Sequence, residues 1–134
     1  MRILTIAGAV VLAGALISRA DPTAACTNLV GTYAEPRSPE KPLLTVSFAN
    51  GQFAVADNTG KKQFVSATPT AQGLVIVEDP RDRNVFRLSA APKPGVYLFE
   101  HFGRNKDGAP LPEKPKRARE LVRVQPAQNN AENK

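Results

Sequence analysis

The sequence has one cysteine, one histidine and no tryptophan among its 134 residues. Each shortage excludes something. The lone Cys26 cannot close an intramolecular disulfide, so this is not a disulfide-framed secreted miniprotein. The same count excludes a cysteine-built metal site within one chain, and no metal site or cofactor is expected. Without tryptophan, a sugar-stacking surface is not indicated. There is no Walker A pattern, no dinucleotide fingerprint and no GxSxG elbow, so neither nucleotide chemistry nor an α/β-hydrolase nucleophile is suggested. After the first two dozen residues, no stretch carries an apolar stripe of helical period.

One long apolar run is present, and it stands at the start. Met1-Arg2 gives a short positive head, and Ile3 to Ile17 follows without a charge. That run fits the hydrophobic region of a secretory signal and falls short of the ~20 residues of a comfortable membrane helix. The chain then turns polar through Arg19, Asp21 and Pro22. Two cleavage points are open. Ser18-Arg19-Ala20 places small residues at its two outer positions, and so does Thr23-Ala24-Ala25, just after the helix-breaking Pro22. The expected organisation is a signal peptide over 1–25, a β domain over 26–125 and a disordered polar tail over 126–134. The chain is expected to be periplasmic or envelope-anchored, with secretion as the alternative.

Thr23-Ala24-Ala25-Cys26 resembles a bacterial lipoprotein box, in which the cysteine is lipidated and becomes the N-terminus. Ala24, Ala25 and Cys26 match the pattern; Thr23 stands where an apolar residue is usual. The resemblance implies lipidation of Cys26. The alternative is a free protein with one unpaired thiol, exposed to mispairing in an oxidising compartment.

Beyond the leader, proline and glycine divide the chain into short apolar runs. Glu35 to Pro42 contains three prolines and excludes helix or central strand. Leu44, Val46 and Phe48 alternate with smaller or polar residues up to Asn50-Gly51, and Phe53 and Val55 alternate after it. Asn-Gly suits a type I′ turn, which pairs Phe48 with Phe53 and Val46 with Val55 on one face. Asp57 to Gly60 reads as a second hairpin loop, with Gly60 supplying its left-handed residue. Phe64-Val65, Gly73 to Val77, Val85 to Leu88, Val96 to Phe102 and Leu121 to Val124 read as further strands, with Leu29 to Tyr33 as the first. Seven or eight strands at this spacing predict an all-β fold, an antiparallel barrel or sandwich.

Leu29 to Tyr33, LVGTY, resembles the opening strand of lipocalin-like small barrels, which carry glycine, any residue, then an aromatic. The resemblance implies that Tyr33 closes the barrel floor, with Arg123 as the arginine that covers it from the final strand.

Three groups carry candidate chemistry. His101 lies in VYLFEHF, where strand alternation sends Glu100 to the opposite face, so the two do not form a local pair; it reads as a surface or rim histidine. Glu78 to Arg83 concentrates three acids and two arginines at a turn, a solvated hairpin tip without the spacing of a calcium loop. Arg104 to Arg123 holds seven basic residues against Asp107, Glu113 and Glu120, much of the net charge of +6. Its centre, Lys114, Lys116, Arg117 and Arg119, is the candidate partner-binding site, and its plain reading is a solvated loop before the last strand. Export and scarce aromatics argue against nucleic acid; an anionic envelope surface or an acidic protein partner fits better.

Three functions follow. The first is a non-catalytic binding module of the bacterial envelope that holds a protein partner, an inhibitor or immunity-type role being one form. The second is a lipocalin-like carrier of a small apolar ligand, with Val46, Phe48, Phe53 and Val55 lining its interior unless they simply fill the core. The third is a hydrolase using His101.

Overall fold

The computed structural model describes residues 21–79, 81, 83–105 and 110–124. The first twenty residues of the expected leader and the tail over 126–134 lie outside them. Eight antiparallel strands form one sheet, curled into a nearly closed barrel. They are β1 (Gly31–Ala34), β2 (Leu44–Ala49), β3 (Gln52–Asp57), β4 (Phe64–Thr70), β5 (Gly73–Glu78), β6 (Asn84–Ala90), β7 (Val96–Arg104) and β8 (Arg117–Val124). The spatial order is β3-β2-β1-β8-β7-β6-β5-β4, so the first and last strands pair and β3 and β4 are the two edges. The expected hairpin at Asp57 to Gly60 is therefore not one: that loop passes across the seam without a ladder. β4 suits an edge, because Pro69 has no N–H to give a further strand and a bulge between Phe64 and Ser66 interrupts its regular pairing with β5.

The Asn50-Gly51 hairpin forms in the expected register. Asn50 and Gly51 both have positive φ, 55° and 78°, as a type I′ turn requires. Phe48 pairs with Phe53 and Val46 with Val55, and the two phenyl rings stand 4.5 Å apart. Inward-facing positions supply the core. Tyr33, Leu74, Ile76, Leu88 and Leu121 are wholly buried, each contributing roughly 1.5–3 kcal/mol by removal from water. Leu74, Ile76, Leu88 and Leu121 fill the barrel across its waist.

One end of the barrel is closed by a short plug. Pro22–Cys26 forms a single helical turn, α1, and Thr27–Leu29 a 3-10 turn. Asp21 caps α1 by accepting the Ala24 N–H at 3.3 Å, and Pro22 takes the first helical position, where a missing N–H costs nothing. Helical periodicity does not announce this element because five residues are too few to show it. Cys26 and Leu29 turn into the core. The Cys26 thiol, only 2% exposed, lies 3.7 Å from the Thr70 carbonyl, and burial pushes its pKa up.

Tyr33 lies at this floor. Its hydroxyl donates to the Leu29 carbonyl at 2.6 Å, and burial pushes its pKa up to about 12 against the influence of Arg123. The Arg123 guanidinium lies 4.8 Å from the Tyr97 ring and 5.7 Å from the Tyr33 ring, and donates to the Asn28 carbonyl. Gly31 makes room for it: at φ 151° a Cβ there would stand 3.0 Å from the arginine stem. Gly31, Tyr33 and Arg123 thus meet in space at the floor.

Candidate functional site

The opposite end is open. A hollow of about 750 Å³ enters the barrel there, within the ~300–1,000 Å³ of small-molecule sites. Its wall is apolar. Phe64, Phe86 and Phe99 face it with Leu43 and Leu44. Phe86 stacks on Phe99 at 5.1 Å with 2° between planes, and on the His101 ring at 4.7 Å with 20°. Phe64 meets Phe86 edge-on at 5.6 Å. Strand register makes this row: on β7, Tyr97, Phe99 and His101 share the inward face, and Phe86 pairs directly with His101.

The mouth is cationic. Lys61 and Lys62 come from the loop between β3 and β4, and Arg117 and Arg119 from the start of β8. Arg119 donates to Glu35 at 3.0 Å, an exposed pair. Asp57 is held by the Thr59 hydroxyl and by the N–H groups of Thr59 and Lys62. These bonds bring its pKa below the usual carboxylate range, against the desolvation that is the largest single influence on it. Among the described residues Arg117 and Lys61 have no carboxylate partner, and Lys62 reaches over Phe86, its ammonium 5.8 Å from the ring centre.

His101 lies on the inner wall below this rim. Its Nε2 stands 3.3 Å from the Asn84 side-chain oxygen. The Asn84 amide donates to Glu78 Oε1 at 2.9 Å, so the chain runs from imidazole N–H to amide to carboxylate and leaves Nδ1 as the acceptor. Burial lowers the His101 pKa first, and the positive charges of Arg117, Lys62 and Lys116 lower it further; Glu78 opposes them. These influences favour the neutral ring.

The sequence-predicted residues separate here. Arg117 and Arg119 do not belong to a loop before the last strand: β8 begins at Arg117, four residues ahead of its expected start. Arg117, Arg119, Leu121 and Arg123 alternate onto the inner face, and the first two reach the wet mouth, where charge costs little. Lys116 precedes the strand, its N–H bound to the His101 carbonyl at 2.7 Å and its stem against Gly103. Lys114 is exposed on the preceding segment. Val46, Phe53 and Val55 are core residues, and Phe48 packs against that core; none of the four lines the hollow, because it opens at the end away from their turn. Glu78 is not part of a solvated tip. It is 5% exposed and inward-facing, continuing the two-residue alternation of Leu74 and Ile76, a signal the sequence did contain. Asp79 does form the tip, accepting the Arg81 N–H at 2.8 Å; Pro80 and Asp82 lie outside the described residues. Glu100 faces the barrel exterior and pairs with Arg87 at 3.0 Å.

Among the described residues no cluster of three or more potential metal ligands occurs, and no helix is long and apolar enough to cross a membrane. Comparisons with family models, with curated proteins and with solved structures gave no match. The chemistry of the barrel mouth thus carries the functional reading.

Proposed function

We propose that this protein is an exported, non-catalytic binding module that takes a small ligand into the open end of its barrel. The observation that carries the reading is the 750 Å³ hollow with a wall of stacked rings. A filled barrel would bury all of those rings completely, as the waist does Leu88 and Leu121. Here Phe64 and Phe99 keep part of their surface for an occupant. The position of His101 supports a non-catalytic role, since its neighbours disfavour the charged ring that a general base must become. The hydrolase alternative predicts loss of activity in His101→Ala.

The test is a neutral fluorescent probe, N-phenyl-1-naphthylamine. It should brighten on saturable binding to the exported protein, and Phe99→Ser should weaken it at least about tenfold with an unchanged far-UV spectrum. Absence of saturable binding of the probe, and of any compound that displaces it, would remove the reading.

A second reading, capture of an acidic protein partner, is favoured by the exposure of Lys114 and Lys116 beside the mouth. Reversing both to Glu should then abolish partner capture and leave probe binding intact.

A further inference from the structure

We infer that the ligand is a compact aromatic carboxylate, its ring against Phe99 and Phe64 and its charge between Arg117 and Lys62. The inference rests on the proposal that the hollow holds a ligand, and adds its shape and charge.

Shape follows from depth. The waist below the hollow is solid, Leu74, Ile76, Leu88 and Leu121 being wholly buried. An extended acyl chain would have to pass through that layer or leave most of its length in water. A flat, short ligand does neither, and the part-exposed rings of Phe99 and Phe64 offer it an apolar surface.

Charge follows from the count at the mouth. Four cations, Lys61, Lys62, Arg117 and Arg119, face two carboxylates, Glu35 and Asp57. Glu35 is already spent on Arg119, and Asp57 on backbone and hydroxyl donors. Arg117 and Lys62 therefore keep charge for a ligand. They stand on opposite sides of the opening, one from β8 and one from the β3–β4 loop, and both act on His101 in the inner wall. An arginine fork and an ammonium together suit a carboxylate. A dianionic phosphate fits less well, with Asp57 on the rim and the buried Glu78 just behind Asn84.

The experiment displaces N-phenyl-1-naphthylamine from the exported protein at low salt with four compounds: 2-naphthoate, 2-naphthamide, 2-naphthyl phosphate and dodecanoate. The expected result is naphthoate at least about tenfold tighter than the isosteric amide, as a charge-assisted hydrogen bond in a partly dry site should give. That preference should shrink as salt rises. Arg117→Glu should abolish it while the neutral probe still binds; Lys62→Glu, on a loop, repeats the test should Arg117→Glu not fold. Equal affinity for acid and amide would overturn the charge assignment and leave the binding module standing. Tighter binding of the phosphate would overturn the monoanion, and equal or tighter binding of dodecanoate the compact shape. Failure of the probe and all four compounds would instead remove the reading on which the inference rests.

Discussion

The two ends of the barrel use the same strands differently. At the floor, the connections are the two-residue turn at Asn50-Gly51, the tight turn between β4 and β5 and the short loop between β6 and β7. The plug over them buries a tyrosine, a cysteine and a leucine, and Arg123 is spread over two rings with its donors on Asn28 and Tyr33. At the mouth, the connections are those after β1, β3, β5 and β7, and the cations of this end, from the β3–β4 loop and the start of β8, face water and the hollow. Arginine appears at both ends of β8, on the same inner face. Arg123 is consumed by the fold, and Arg117 is left over by it. The difference is one of partners, and it separates a residue that holds structure from one able to hold something else.

Substitutions at the floor should therefore cost stability, and substitutions at the mouth should cost binding. The largest expected loss is Tyr33→Ala, about 3–5 kcal/mol by chemical denaturation, since it empties a wholly buried site and strands the Leu29 carbonyl and the arginine above it. Gly31→Ala should cost less, about 1–3 kcal/mol, through positive φ and a collision with the Arg123 stem. A loss of the same size from Phe99→Ser would blur the contrast, because it would make the mouth as structural as the floor.

A smaller effect comes from His101. Its folded pKa lies below its unfolded value, so the unfolded chain binds more protons as the medium becomes mildly acidic. The contribution of this group is fully present above the ordinary histidine pKa of about 6.5 and falls away as pH drops below it. His101→Gln should flatten that part of the stability profile, measured as denaturation midpoints across it. A profile unaltered by the substitution would show that the cations around the ring do not act on it. The smallest effect is Arg119→Ala. Its pair with Glu35 is roughly half exposed, so stability should change by no more than about 1 kcal/mol.

Much of the fold was legible in the sequence because local chemistry dictated it. Asn50-Gly51 sets its own turn and hence the register of β2 on β3. Gly31, Tyr33 and Arg123 were set side by side only through the resemblance of the opening strand, since nothing local links residues so far apart in the chain. The hollow was not legible. Period-two alternation says that Phe48 and Phe99 both face inward, and it does not say which lies by the floor and which at the mouth. That depends on strand stagger around the closed sheet. Alternation also continued through Glu78 and Arg117, where charge concealed it: a charged residue at an inward position reads as a loop unless a part-buried donor, as Asn84 is for Glu78, or an open end, as for Arg117, is there to receive it. The unpaired seam between β3 and β4 was hidden for a related reason, since adjacent strands in sequence usually pair.

Cys26 has a consequence for the lipidation that its resemblance to a lipoprotein box implies. Its sulfur is seated under Thr70, in the core with Leu29 and Tyr33. A thioether to a lipid must leave that seat, since acyl chains cannot follow the sulfur into a filled barrel. Anchoring at Cys26 and a closed floor are therefore alternative fates of one atom. Cleavage after Ala20 would keep Asp21 as the cap of α1 and the thiol shielded from oxidants. Cleavage after Ala25 would discard the cap and most of α1, releasing a barrel tethered by its own unfastened stopper. The mass of the mature chain distinguishes the two.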